Sequence, residues 1–369
     1  MRCVLNICEI NITNFRNYNH INFKPTSFNI FYGNNAQGKS NFIEAIYYLG
    51  NGISYRTNQS KDLIKWDSDY FRIEANCIND KGAFAIKSLL NATEKKIYID
   101  EVKLNRMSEL FRNISICIFE PDDLALIKGS PIKRRNFLDR EMVTINPLYY
   151  DLLRKYNNIN YQRNRLLKFV GRDKGLVYQL EDWTNIYIKL AYKIVVKRID
   201  FIKKIKPYLE YYLKKITQDK ENIDIIYEIG QVGEKIIDYD TYLKKIKGYE
   251  REEIEKGNSL IGPHRDDFNV YINGYNIKKY GSQGQQRTVA LCLKLAYLEI
   301  AKKEIGEYPI LLLDDVMSEL DIERRIILIE TIHDKIQTFL TTTDLDMVKG
   351  LVKKSTTLQI CEGNIIHVD

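Results

Sequence analysis

No stretch of this 369-residue sequence is long and apolar enough to cross a membrane, and Glu9 and Asn11 interrupt any signal-peptide core. The six cysteines, Cys3, Cys8, Cys77, Cys117, Cys292 and Cys361, are scattered without a Cys-x-x-Cys pair. That spacing argues against a cysteine metal site and against a disulfide framework, so they read as reduced, small apolar residues. Strong charge of one sign is also missing. The 56 basic and 49 acidic residues leave +7 and a pI of about 8.8, below the pI of above about 9 that marks a nucleic-acid binder unaided. A bias toward Ile, Lys, Asn and Tyr, with 26 tyrosines, explains a mildly basic balance equally well. Charge therefore permits DNA binding without arguing for it. A soluble, cytoplasmic protein is expected, and the length predicts two or three domains rather than one core.

What is present centres on Gly33, Asn34, Asn35, Ala36, Gln37, Gly38, Lys39 and Ser40. An apolar, extended run at 28–32 precedes this loop and a helical pattern at 41–49 follows it. Strand, glycine-bounded loop, Gly-Lys-Ser and helix together make the phosphate-binding loop of an NTPase. The glycines let the backbone curl so that successive N–H groups point at a phosphate, where the helix also offers its positive end. Lys39 then reaches the β- and γ-oxygens, and the Ser40 hydroxyl ligates Mg2+.

Around the loop the pattern changes several times. Strands are expected before it, with a turn at 14–17 that carries Arg16, a residue placed to touch phosphate or simply to form the turn. After the first helix comes a polar loop at 54–57 with Arg56. From 70 to 100 the apolar residues recur every second position, as in an antiparallel layer. An apolar strand is expected at 114–119. A helix beginning near Pro131 carries Lys133, Arg134 and Arg135 in its first turns. Cations there oppose the helix dipole, so they need an anionic partner, either phosphate or a neighbouring Asp or Glu. Residues 147–257 read as a helical lobe with two long helices, the second kinked or ended by Pro207, then a short strand at 223–229 and a charged helix at 239–256. Its arms are too short for an extended coiled coil.

Beyond the lobe, a polar patch runs from Gly262 to Asp267 before a hairpin at 268–272 with an Asn273-Gly274 turn. Ser282-Gln283-Gly284-Gln285-Gln286 then opens a long helix, again an anion site by geometry. Four aliphatics at 310–313 suit a strand buried on both faces of a parallel sheet, and Asp314 and Asp315 at its carboxyl end suit a metal site. Ser318 and Asp321 follow in a loop that leads into a helix. A short strand at 337–341 and a terminal hairpin at 357–368 close the chain.

In this order, the motifs resemble the ABC-type ATPase heads of the SMC-like DNA-repair branch, and within it the RecF family. The likeness is carried by Asn14-Phe15-Arg16-Asn17-Tyr18, residues 33–40, Tyr55-Arg56-Thr57, Pro121-Asp122-Asp123-Leu124, Lys128-Gly129-Ser130-Pro131 with Arg134-Arg135, and Phe137-Leu138-Asp139. It continues through residues 262–267, 282–287 and 313–321, and is weakest in the helical lobe. The resemblance implies an α/β fold. Its mixed sheet would carry the phosphate loop beside an antiparallel β layer, in two ATPase segments (1–146 and 258–369) around the helical lobe (147–257). It implies ATP and Mg2+ as cofactors and an ATP-dependent homodimer in which Ser282, Gly284 and Gln285 of one chain face the nucleotide of the other. Ser40 and Asp314 would hold the metal, Asp315 would act on water, and Ser318 with Asp321 would form the loop after the acidic strand. It further implies binding to DNA, single-stranded and at single/double-strand junctions, help in loading RecA with RecO and RecR, a part in the SOS response, and a weak DNA-dependent ATPase. Arg16, Arg56, Arg134 and Arg135 are the candidate phosphate or DNA contacts.

Three departures from the wider ABC class bear on turnover. Asp315 stands where a glutamate base is usual, Thr343-Asp344 where many members have a switch histidine, and Asp122 is matched to the usual glutamine. They fit a slow switch better than a motor. The alternative is the energy-coupling subunit of a transporter, against which stand the antiparallel layer, the large insert and the missing histidine. A nuclease-coupled ATPase is a third reading, for which the sequence up to Asp369 leaves no room.

Overall fold

The computed structural model describes residues 5–171, 174–230 and 238–367. Cys3, Val4 and Val368, and part of the break expected at 171–175, lie outside these. The chain divides into two compact units, Met1–Leu124 with Leu293–Asp369, and Ala125–Cys292.

The first unit holds two six-stranded sheets. One is antiparallel throughout, in the order Tyr18–Phe23, Asn6–Phe15, Tyr70–Asn79, Gly82–Asn91, Lys95–Ile99, Val102–Lys103. The period-two pattern predicts this layer because each strand has one face on the core. The other sheet runs Asn364–His367, Thr356–Cys361, Phe28–Tyr32, Thr338–Thr342, Ile310–Asp314, Ile116–Phe119, and is parallel except for its terminal hairpin. The helix Lys39–Asn51 packs against both sheets and is buried around almost its whole circumference, its one buried acid, Glu44, being paired with Arg16 and Arg56. Phe42, in its first turn, packs against Tyr18, Phe23 and Phe31. Truncating it to alanine would cost about 3–5 kcal/mol.

Register decides where the chemistry falls. Tyr32 pairs with Thr342, and Thr341 pairs with Asp314. The strand that feeds the glycine loop and the strand that ends in acid therefore finish at one carboxyl edge, with the threonine strand between them. Such edges are where open α/β sheets present their sites.

The second unit contains the helices Pro131–Ile145, Pro147–Val170, Val177–Thr217, Tyr239–Gly248 and Glu250–Lys256, and a three-stranded sheet ordered Tyr275–Asn276, Asp267–Ile272, Ile223–Glu228. It is wider than the helical lobe expected at 147–257. The hairpin at 268–272 and the helix bearing Arg134 belong to it, because the strand Asp267–Ile272 pairs with Ile223–Glu228. Pro207 neither ends nor divides its helix, which runs unbroken through 41 residues. Ile205, Leu209, Tyr212 and Leu213 are buried on either side of the proline, and that packing outweighs the backbone hydrogen bond it removes. The expected charged helix at 239–256 is two helices that meet at Tyr249.

A network of buried polar groups runs through the interior of the second unit. Arg163 and Glu253, both fully buried, pair at 2.6 Å, and the guanidinium also donates to Thr184 and Ser259. Arg198 grips both oxygens of Asp139 and donates to the Pro263 carbonyl. Tyr227 donates to Asp266, and Tyr156 lies 2.5 Å from His264 Nδ1. The patch from Gly262 to Asp267 is therefore an internal hub. Burial pushes the Asp266 carboxyl up to about 7, against the pull of Arg198, Tyr227 and the Gly230 N–H, and lowers His264 to about 4.

Candidate functional site

The loop at 33–40 is strained as its composition predicts. Gly33 and Gly38 have φ of +150° and +117°. A Cβ on Gly33 would sit 2.5 Å from the Ile360 carbonyl oxygen. Ala36 takes the left-handed conformation at φ +65° without being glycine. Gln37 is braced from outside the loop. Its carbonyl accepts from Asn17 Nδ2 and the Gly363 N–H, each at 3.1 Å, and its side-chain oxygen accepts from the Glu362 N–H at 2.7 Å. The turn at 14–17 and the terminal hairpin thus shape the loop. Neither role is visible in a local pattern.

Lys39 is buried and donates to the carbonyls of Gly33 (2.7 Å) and Asn34 (2.8 Å). Burial lowers its pKa, while Asp315 and Asp314 oppose that shift. Asp314 is the convergence point. Its Oδ1 accepts from Ser40 Oγ and Thr341 Oγ1, each at 2.8 Å, and its Oδ2 accepts from the Tyr55 hydroxyl at 2.7 Å. The Thr341 hydroxyl in turn accepts from the Asp315 N–H. Asp315 itself has φ +53°, and its Oδ1 is buried without a hydrogen-bond partner among the described residues. Burial raises its pKa; Lys39 lowers it, and Asp314 and Glu319 raise it further.

These residues fit a nucleotide with its divalent cation. A serine hydroxyl and one carboxylate 2.8 Å apart are the hard, sparse oxygen set that magnesium takes beside phosphate oxygens. The unpartnered Asp315 oxygen is a costly group to bury unless something else approaches it. Tyr55 and Thr341 escaped the sequence reading. Tyr55 lies in the Tyr55-Arg56-Thr57 stretch that carries the resemblance, where only Arg56 is a candidate contact, and Thr341 becomes meaningful only through strand register.

The other candidates are placed as follows. Ser282 and Gln285 form a reciprocal capping box at the start of Gln283–Ile305. Ser282 Oγ accepts from the Gln285 N–H, and Gln285 Oε1 accepts from the Ser282 N–H. Gly284 lies in that first turn, and the Ser282 side is exposed. Ser318 donates to the Asp315 carbonyl, and Asp321 caps the helix Ile322–Ile332. Arg16 holds both oxygens of Glu44 at 2.9 Å, and Arg56 donates to Asn41 and Glu44, so the two rim arginines share one buried acid. Arg134 is corrected. It is 2% exposed and donates to both oxygens of Asp267 and to three carbonyls, so the anion its helix needed is an internal aspartate and its guanidinium is spent inside the unit rather than presented at the surface. Arg135, half-buried, donates to the Asp266 carbonyl.

A mixed sheet with a glycine loop and an acidic strand at one edge, flanked by an antiparallel layer, is the architecture of an ABC-type ATPase head. The family model "RecF/RecN/SMC N terminal domain" matches residues 6–365. "DNA replication and repair protein RecF" of Halothermothrix orenii is 41% identical over 345 residues, 92% of each chain, and that of Bacillus subtilis is 39% identical over 92% of this chain and 94% of its own. A solved structure of the recombination mediator RecF with ATP, from the RecFOR pathway, superposes with a TM-score of 0.91 at 32% identity, covering 100% of this chain and 99% of that one. An Smc head domain from Pyrococcus furiosus, 14% identical, shares the fold at a TM-score of 0.57 over 99% of this chain and 96% of its own. The chain belongs to the RecF family of DNA replication and repair proteins. Among the described residues no helix is long and apolar enough to cross a membrane.

Proposed function

We propose that this chain is an ATP-driven switch that holds DNA during recombinational repair and replication. The observation that carries the reading is the convergence of Ser40, Tyr55 and Thr341 on Asp314, beside Lys39 and an unpartnered Asp315 oxygen. The ATP held by a solved RecF relative supports the choice of nucleotide. Mg2+ bound with it would neutralise charge on the phosphate oxygens, and Ser40 and Asp314 are the residues that would hold it. Lys39 would exchange two neutral carbonyls for charged oxygens, a stronger class of hydrogen bond. Asp315 orients or deprotonates water, and a carboxyl raised above its ordinary value suits that work.

Ser282, Gly284 and Gln285 are the groups that meet a second chain's nucleotide. A twofold pair then has two such contacts, and the γ-phosphate supplies the difference between states that a ligand-driven switch requires. ADP leaves a monomer. The dimer binds single-stranded DNA and single/double-strand junctions, and assists RecA loading with RecO and RecR and hence the SOS response. Hydrolysis, slow and DNA-stimulated, resets it. Arg16 and Arg56, at the loop rim, are the remaining phosphate candidates near the site. Light scattering with ATP, ADP and no nucleotide tests the core of the reading. Wild type is expected to dimerise only with ATP, and Ser282→Arg to bind ATP yet stay monomeric. An ATP-driven dimer of Ser282→Arg would leave Ser282 as a helix cap alone.

A further inference from the structure

We infer that the exposed face of the helix Pro147–Val170 is where the second unit tracks a DNA phosphate backbone. This rests on the DNA reading above and names a surface for it. The first observation is a segregation of charge that the whole-chain value hides. The second unit holds 32 of the 56 basic and 21 of the 49 acidic residues, a net of +11, leaving the first unit with 24 and 28, a net of −4. All of the net positive charge lies in Ala125–Cys292.

Within that unit the helix is one-sided. Residues 152–170 carry Arg154, Lys155, Arg163, Arg165 and Lys168 and no acid. Tyr149, Tyr156, Arg163, Leu167 and Val170 are buried on one side. Arg154, Asn158, Tyr161, Arg165 and Lys168 are exposed at spacings of four, three, four and three, which sets them on one stripe of the opposite side. Buried Arg163 is neutralised by Glu253. Arg154, Arg165 and Lys168 have no acidic partner among the described residues. The stripe spans about 21 Å at 1.5 Å per residue, the rise of about six nucleotides of one strand at roughly 3.4 Å each. Tyr161 stands 61% exposed in its middle, an aromatic face among cations, the pairing with which single-strand binders stack a base. A merely solvated helix face needs no such freedom from acids.

The test uses the full-length protein with ATP and fluorescent 30-mers, single-stranded and duplex, titrated by anisotropy across a salt series. Arg154→Gln, Arg165→Gln and Lys168→Gln together should lower duplex affinity on the order of a hundredfold at 0.1 M salt, and make the slope of log affinity against log salt shallower by about 2.7, or roughly 0.9 for each phosphate no longer neutralised. Lys349→Gln, Lys353→Gln and Lys354→Gln remove the same charge from exposed positions of the first unit and should leave the slope unchanged. Tyr161→Ala should cost about tenfold on the single strand and nothing on duplex. ATP affinity and melting temperature report folding in each variant. A stripe variant that folds, binds ATP and keeps wild-type affinity and slope overturns the inference while leaving the DNA reading standing. Equal losses in both charge variants also overturn it, as a general charge effect. A wild-type protein that binds neither 30-mer with ATP overturns the DNA reading itself, and the stripe with it.

Discussion

The first unit encloses its loop helix between two sheets in a mainly apolar interior, in which Glu44 and the Lys294–Asp123 pair are buried charged groups, and gathers the groups of its candidate site at one sheet edge. The second runs guanidinium, carboxylate and phenol groups through its centre. Apolar packing is non-directional, and it serves where strand register already orders the elements. A buried Arg–Glu pair, by contrast, is satisfied by one arrangement only, and here it ties residues 90 positions apart. Such pairs add little net stability over apolar substitutes but are costly to break singly. The two interiors thus answer different demands: one presents a reactive edge, the other holds distant helices and strands in one pairing.

That contrast can be broken at several points. Lys39→Ala should abolish ATP binding in equilibrium dialysis while lowering the melting temperature only modestly, because it removes a phosphate contact and two hydrogen bonds to the Gly33 and Asn34 carbonyls but no member of the apolar core. Retained ATP binding would detach the edge from its proposed role. Arg163→Ala should leave Glu253 as a lone buried charge and cost about 3–5 kcal/mol in urea unfolding. Replacing both partners with apolar residues should recover most of the loss, and an equal loss in single and double variants would deny the pair its ordering role.

Asp315→Asn should keep ATP binding and trap the ATP-bound dimer, with hydrolysis reduced on the order of a hundredfold or more. Wild-type hydrolysis should fall as pH is lowered through the raised pKa of Asp315, at higher pH than an ordinary aspartate would impose. An acid limb at the ordinary position would place the base elsewhere. Asp266 gives the second unit a pH dependence of its own. With its folded pKa near 7 and the unfolded value near 4, the folded state binds the proton more tightly between these limits. The contribution of Asp266 to stability should therefore fall as pH rises from about 4 to 7 and stay level above, by a few kcal/mol at most. His264 contributes in the opposite direction, since its lowered pKa adds stability as pH rises from about 4 to its ordinary 6.5. Asp266→Asn should therefore let stability climb more steeply with pH over that stretch of a melting-temperature profile than it does in wild type. The smallest effect is Ser282→Ala, about 1 kcal/mol of stability from the lost cap, which circular dichroism melts would register.

Much of the site is legible in the amino-acid sequence alone. A glycine-bounded loop between strand and helix, and a strand of four aliphatics ending in acid, announce themselves because their chemistry depends on backbone conformation and on the next few residues. The antiparallel layer is equally plain, since alternation with period two is a local property. Only the tertiary structure decided that Thr341 and Tyr55 hold Asp314, because that depends on which strands lie side by side. It also decided that Arg134 answers to Asp267 rather than to phosphate, and that packing carries a helix through Pro207. The partition of charge is of the same kind. A net of +7 is a property of the string, but +11 against −4 exists only once the chain has closed residues 1–124 and 293–369 into one body. Long-range pairing is set by where distant segments meet, and no local pattern records that.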